Sequence, residues 1–179
     1  MLASRLRHSL IVLSGSLIFI ASQGLAVART AGIDGTSPVP ITMLPQDFSG
    51  TTVGGSSAVS TLSSAACAGA PPMAAAESIY TWVAMPPTGP HIDFTLTPES
   101  GFDAAIYVLE ELGNGASCII VADNSGPGMP EDIHLEELLV PGHRYYLYVD
   151  SSAGAQHAGD FDLLAWVFIA VELQSFDID

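Results

Sequence analysis

The hydrophobic pattern along the second half of the chain has a period of two. Over 91–97, Ile92, Phe94 and Leu96 fall on one side while Asp93, Thr95 and Thr97 fall on the other. Successive side chains of a strand point to opposite faces, so this alternation marks a half-buried strand. Residues 144–150 alternate in the same way, setting Tyr145, Leu147 and Val149 against Tyr146, Tyr148 and Asp150. Shorter runs at 79–83, 104–109 and 118–122 are apolar and rich in β-branched or aromatic residues, which also favours strands. Ile133 and Leu135 alternate ahead of the apolar run 138–140, and 161–171 forms a long final strand. Turn chemistry separates these runs: Pro86-Pro87 and Gly89-Pro90, Gly113-Asn114-Gly115, the Gly- and Pro-rich loop 123–130, and Pro141-Gly142. The one helical candidate, 130–140, is short and reads equally as a strand plus a turn. Such a series predicts an all-β, antiparallel β-sandwich of about seven to eight strands across 65–172. Polar outer faces argue against a buried parallel sheet.

Ahead of that domain the periodicity is poor. Residues 29–64 are rich in Gly, Ser, Thr and Pro, with Ile33, Val39, Ile41, Met43, Leu44, Phe48 and Val53 scattered among them. This stretch reads as a low-complexity linker in which 41–53 could add one edge strand. Residues 65–76 read as a loop carrying Pro71-Pro72 and Cys67, and 173–179 as an acidic tail. The first 28 residues have the layout of a secretory signal peptide. Arg5 and Arg7 precede an apolar stretch, and Ala26-Val27-Ala28 supplies the small-x-small cleavage site. The apolar stretch is interrupted by Ser14, Gly15 and Ser16 and falls short of the ~20 residues that span a bilayer. A secreted or periplasmic protein with no membrane insertion after cleavage is expected.

Charge then narrows the partners. The 179 residues carry 4 arginines, no lysine and 19 acids, a net charge of −15. Cleavage after Ala28 would leave 151 residues with Arg29 and Arg144 against the same 19 acids, a net −17. A chain this acidic repels phosphate, which excludes nucleic-acid binding through a basic patch and docking on anionic membranes. Hydrophobic residues make up 49% of the chain, too many for disorder driven by charge. Export also bears on the two cysteines. In an oxidising compartment Cys67 and Cys118 are expected to pair, closing a loop of about 50 residues worth roughly 4 kcal/mol in the chain-entropy model. Zinc would need partners at C-x-x-C-like spacing, and neither cysteine has them.

Four segments of the second half resemble the bacterial pre-peptidase C-terminal domain family. Phe102-Asp103-Ala104-Ala105-Ile106-Tyr107-Val108 is similar to its "acidic-x-x-L-Y-V" strand. Ile133-His134-Leu135 with Leu138-Leu139-Val140-Pro141-Gly142 follows. Arg144-Tyr145-Tyr146-Leu147-Tyr148-Val149-Asp150 resembles "G-x-Y-Y-x-x-V", and Gly159-Asp160-Phe161-Asp162-Leu163 resembles "S-G-x-F-x-L". The resemblance covers 77–168 and implies a jelly-roll-like sandwich in an exported protein, an accessory module without catalysis. Members often follow secreted peptidases, and no peptidase sequence precedes the domain here. Some bind calcium, but their ligand pattern does not map onto residues of this chain.

Candidate chemistry is sparse. Gly54-Gly55-Ser56-Ser57 lacks the last glycine of G-x-S-x-G, and His134-Leu135-Glu136-Glu137 lacks the second histidine of H-E-x-x-H. His91, His134, His143 and His157 are dispersed, so a small hydrolase would have to assemble its site in three dimensions. Calcium is the candidate cofactor: it takes clustered carboxylate, amide and backbone oxygens, and Asp123, Asn124, Glu131 and Asp132 bring such oxygens to one loop. Asp150 with Asp160 and Asp162 flanks a second loop of this kind. A local hydrogen-bonding role for the same Asp and Asn residues is the plainer alternative. For ligand binding, Tyr146 and Tyr148 are the candidate aromatic platform, with Trp82 and Trp166 expected in the core. The partner classes left are a glycan or an extracellular protein, or a second copy taking a strand donated by 41–53.

Overall fold

The computed structural model describes residues 32–85, 91–135, 139–152 and 158–168. The expected signal peptide 1–28, Arg29, His157 and the tail 173–179 lie outside the described residues. Among the described residues, nine strands form two sheets. β1 (Val39–Pro40), β3 (Ser78–Val83), β8 (Arg144–Ser151), β5 (Ala104–Leu109) and β6 (Cys118–Ala122) make a five-stranded sheet in the order β1-β3-β8-β5-β6. β2 (Gln46–Thr51), β9 (Asp160–Phe168), β4 (His91–Pro98) and β7 (Glu131–His134) make a four-stranded sheet in the order β2-β9-β4-β7. Every pairing is antiparallel except the short β1–β3 contact. The chain crosses from one sheet to the other at almost every step from β3 onward, and only β5 and β6 follow each other within one sheet. Within 130–140, Glu131–His134 form strand β7, and the 41–53 arm supplies β2, which pairs with β9 of its own chain.

The alternation seen in the sequence sorts residues onto the facing sides of the two sheets. Tyr80, Trp82, Ile106, Val108, Tyr145, Leu147 and Val149 of the five-stranded sheet meet Phe48, Ile92, Phe94, Leu96, Ile133, Leu163 and Ala165 of the other. Trp82 sits 5.1 Å from Phe94 and Phe48 sits 4.9 Å from Tyr80, ring centre to ring centre, so aromatic pairs join the sheets.

The outer face of the five-stranded sheet departs from the expected polar surface. β5 is buried at all six positions, because Ala105, Tyr107 and Leu109 point away from the sandwich core into a second core. That core is built with Val59, Leu62, Cys67 and Met73, residues of the stretch read as linker and loop. Residues 52–76 thus lie across the sheet as a cover without strand structure of its own. Each large apolar side chain it buries is worth about 1.5–3 kcal/mol. The Cys67–Cys118 disulfide, with a sequence separation of 51, ties the cover to β6. Ser64 Oγ donates to the Cys118 carbonyl at 2.6 Å, and the Ser63 amide to the Gly115 carbonyl at 3.2 Å. Gly115 is required there, since a Cβ would collide with the Thr61 carbonyl.

Candidate functional site: the bare face of the four-stranded sheet

The cover leaves one sheet face open among the described residues. With Ile92, Phe94, Leu96, Ile133, Leu163 and Ala165 turned into the core, the pleat turns Asp93, Thr95, Thr97, Asp132, His134, Asp162, Leu164 and Trp166 outward. The register sets these in rows. Trp166 lies opposite Asp93, and Asp93 lies opposite His134. In the next row Asp47, Leu164, Thr95 and Asp132 follow one another across the four strands. Directly opposed side chains have their Cβ atoms about 5 Å apart, so each row is a contiguous strip of surface.

Trp166 is half-buried, with His134 exposed two strands away. Between them Asp93 is only 5% exposed, sunk between its neighbours although it stands on the outer face. His134 Nδ1 approaches Asp93 Oδ1 at 3.2 Å, an ion-pair distance that misses good hydrogen-bond alignment. The imidazole thus stands beside the carboxylate with most of its side chain still in solvent. The hydroxyls beside them are oriented too: Thr95 Oγ1 donates to Asp132 at 2.7 Å, and Ser49 Oγ donates to Asp162 at 2.8 Å. The strip offers an indole, an imidazole, carboxylates and hydroxyls on a rigid ladder. That set can stack on a flat apolar ligand face and exchange hydrogen bonds with ligand hydroxyls.

The residues singled out from sequence fall elsewhere. Tyr148 is fully buried under the cover, stacked on Tyr107 at 5.0 Å and 9° between planes, its hydroxyl accepting from the Gly113 amide at 2.8 Å. Tyr146 is half-buried on the same face against the second core. The two rings therefore form no open platform, because residues 52–76 occupy the face they share. Of the tryptophans, Trp82 is in the core, whereas Trp166 stands on the outer face rather than inside.

The four candidate calcium ligands do not converge either. Glu131 and Asp132 are neighbours on β7, so they point to opposite faces. Glu131 is 2% exposed, and its carboxylate accepts the amides of Asn124 at 3.1 Å and Ser125 at 2.6 Å, which closes the loop 123–130. Asp132 faces outward to Thr95. Asp123 sits apart, its carboxyl pushed up by burial and by neighbouring Asp103, with the Ser152 hydroxyl opposing the shift. Of the second set, Asp150 is fully buried while Asp162 is exposed on the other sheet. No three His, Cys, Asp or Glu side chains gather as a metal site among the described residues. Nor is any described helix long and apolar enough to cross a membrane.

A second polar group went unread in the sequence. Glu77 and Asp150, each with 0% exposure, share the Tyr107 hydroxyl in the second core at 3.3 Å each. Glu77 Oε2 and Oε1 accept the amides of Ala58 at 2.9 Å and Val59 at 2.8 Å. Asp150 accepts the Ser151 amide at 2.6 Å and is also bonded to the Ala75 backbone. Burial pushes Glu77 up, and pushes Asp150 up to about 8 with Glu77 adding to the shift. Both acids tie backbone of the covering segment to the sheet beneath it.

No family model matches this chain, and no curated protein matches it. Among solved structures it is similar to the pre-peptidase C-terminal domain of collagenase from Bacillus anthracis, at 17% identity and a TM-score of 0.45. The match covers 72% of this chain and 94% of that one. The strand registers above, not this likeness, define the sandwich.

Proposed function

We propose that the protein is an exported, non-catalytic binding module that presents the bare face of its four-stranded sheet to an uncharged or cationic glycan. The half-buried Trp166 beside the Asp93–His134 pair carries this reading. Indole faces pack against the C–H faces of sugar rings, and flanking carboxylates, hydroxyls and imidazole bond to sugar hydroxyls. Exposed Asp47, Asp132 and Asp162 on the same face repel anionic polymers. Export is supported by the leader-like start of the sequence and by the Cys67–Cys118 disulfide. A non-catalytic role fits the placement of the reactive groups. Both cysteines are tied in the disulfide, and the buried acid pair is shut away under the cover.

The test is a panel of neutral, amino and uronic oligosaccharides, read by thermal shift and tryptophan emission. Neutral or amino sugars should raise the melting temperature and shift Trp166 emission, while uronic acids should not. Trp166→Ala should lose binding at unchanged stability. Binding that survives this substitution, or no binding across the panel, refutes the assignment.

A further inference from the structure

The cover 52–76 is held by more than apolar contact. Its amides at Ala58 and Val59 end on Glu77, its Ala75 backbone on Asp150, and both acids meet at the Tyr107 hydroxyl. A hydroxyl has one hydrogen, so Tyr107 can donate to only one carboxylate at a time. Among the described residues, the groups packed around the pair bring no positive charge. From β3 and β5 come Ile79, Ala105, Tyr107 and Leu109; from β8 come Tyr146 and Tyr148; from the cover come Val59, Leu62, Met73 and the disulfide. Of the described cations, Arg144 and His143 stand at the opposite end of β8, and His91 and His134 belong to the other sheet. Two fully buried carboxylates with no described cation beside them cannot both ionise at low cost, and the geometry calls for a retained proton.

We propose that this proton is the latch of the cover: Glu77, Tyr107 and Asp150 hold residues 58–75 on the sheet while one acid is neutral, and its loss to hydroxide frees them. Once both acids are charged, water must reach them, and lifting the cover is the shortest way to admit it. The Cys67–Cys118 disulfide keeps the freed segment tethered, so opening is local and reversible. What it uncovers is the stacked Tyr107–Tyr148 pair, an aromatic surface hidden in the closed form. The closed form holds this proton up to about pH 8 and the opened form releases it in the ordinary carboxyl range, so opening becomes easier with each unit of pH up to about 8.

The test is amide hydrogen exchange on the disulfide-bonded protein from about pH 6 to 10, corrected for intrinsic rates. Protection at Ala58, Val59 and Met73 should fall by up to about tenfold per pH unit from pH 6 to about 8, level off above it, and at each pH lie well below that of β4 and β9, which open only with the whole domain. In Asp150→Asn the fall should vanish. If that variant does not fold, Tyr107→Phe serves instead. Removing the hydroxyl that stabilises the charged acids should move the fall to higher pH. Protection at the cover equal to that of β4 and β9, a fall that persists in Asp150→Asn, or one that levels off at the same pH in Tyr107→Phe overturns the latch. None of these readouts involves Trp166, so they stand apart from the glycan assignment.

Discussion

The buried acid pair makes a quantitative prediction about pH. In the folded state Asp150 keeps its proton up to about 8, whereas an unperturbed aspartate loses it near 3.8. A group with a raised folded pKa contributes stability that is whole below the unfolded pKa and is lost as pH rises through the folded one. Between 3.8 and pH 7 the unfolded chain releases this proton and the folded one does not, a span of about three units or about 4 kcal/mol at 1.36 kcal/mol per unit. Glu77, shifted in the same direction, adds to the slope. For a domain of this size the change corresponds to a melting temperature about 10–15 °C lower at pH 7 than near pH 4. The perturbation that isolates the effect is Asp150→Asn. Its amide oxygen still accepts from Ser151, and its NH2 can donate to Tyr107, so the neutral form is imitated at every pH. Urea unfolding from about pH 4 to 9 should show the wild type losing stability toward alkali and the variant losing much less, overtaking the wild type near neutrality. General self-repulsion of the acidic chain has the same sign, so the series should be repeated in high salt, which screens exposed charges and leaves the buried pair untouched. A wild-type profile that is flat or rises from pH 4 to 8, or a variant with the wild-type slope, would refute the assignment of a proton to this pair.

Two further predictions concern the cover. Cys67→Ser with Cys118→Ser opens a 51-residue loop and should lower unfolding stability by about 4 kcal/mol in urea titrations; a loss under about 1 kcal/mol would mean the cover needs no tether. Gly115→Ala forces a methyl group against the Thr61 carbonyl and should cost about 1–3 kcal/mol, with exchange protection lost first at Ser63; unchanged protection there would show that the cover does not rest on Gly115.

Legibility followed the backbone ladder. Where strands pair, a period of two is imposed on the chain, and Ile92, Phe94 and Leu96 or Tyr145, Leu147 and Val149 announced their face directly. The cover has no ladder, so Val59, Leu62, Cys67 and Met73 follow no period, and their sequence resembles a linker. The trace it did leave was on the partner strand. Residues 104–109 lack any polar alternation, which is what a strand buried on both faces requires. The outward set of β8 misled for the same reason, since Tyr148 and Asp150 look solvent-facing until the cover is placed over them. The Trp166–Asp93–His134 row was illegible for a different reason. Its members come from β9, β4 and β7, and only the strand order and register bring them together.

The structure also changes what the excess of acid means. With so few cations, the carboxylates find their donors in the backbone. Asp34 accepts the amides of Thr36 and Ser37, Glu77 those of Ala58 and Val59, and Glu131 those of Asn124 and Ser125. Asp150 does the same with Ser151. The amides of Thr36, Ser37, Ala58, Val59, Asn124 and Ser125 belong to segments outside regular strands, where no ladder serves them, and an unpaired amide is costly wherever it is buried. Acids therefore take over, in the irregular parts of this fold, the role that the ladder plays within the sheets. The charge that bears on partners is then smaller than composition suggests. On the outer face of the four-stranded sheet the exposed remainder is Asp47, Asp132 and Asp162. An anionic ligand is opposed there by surface carboxylates arrayed around Trp166, whichever acids are occupied within the fold.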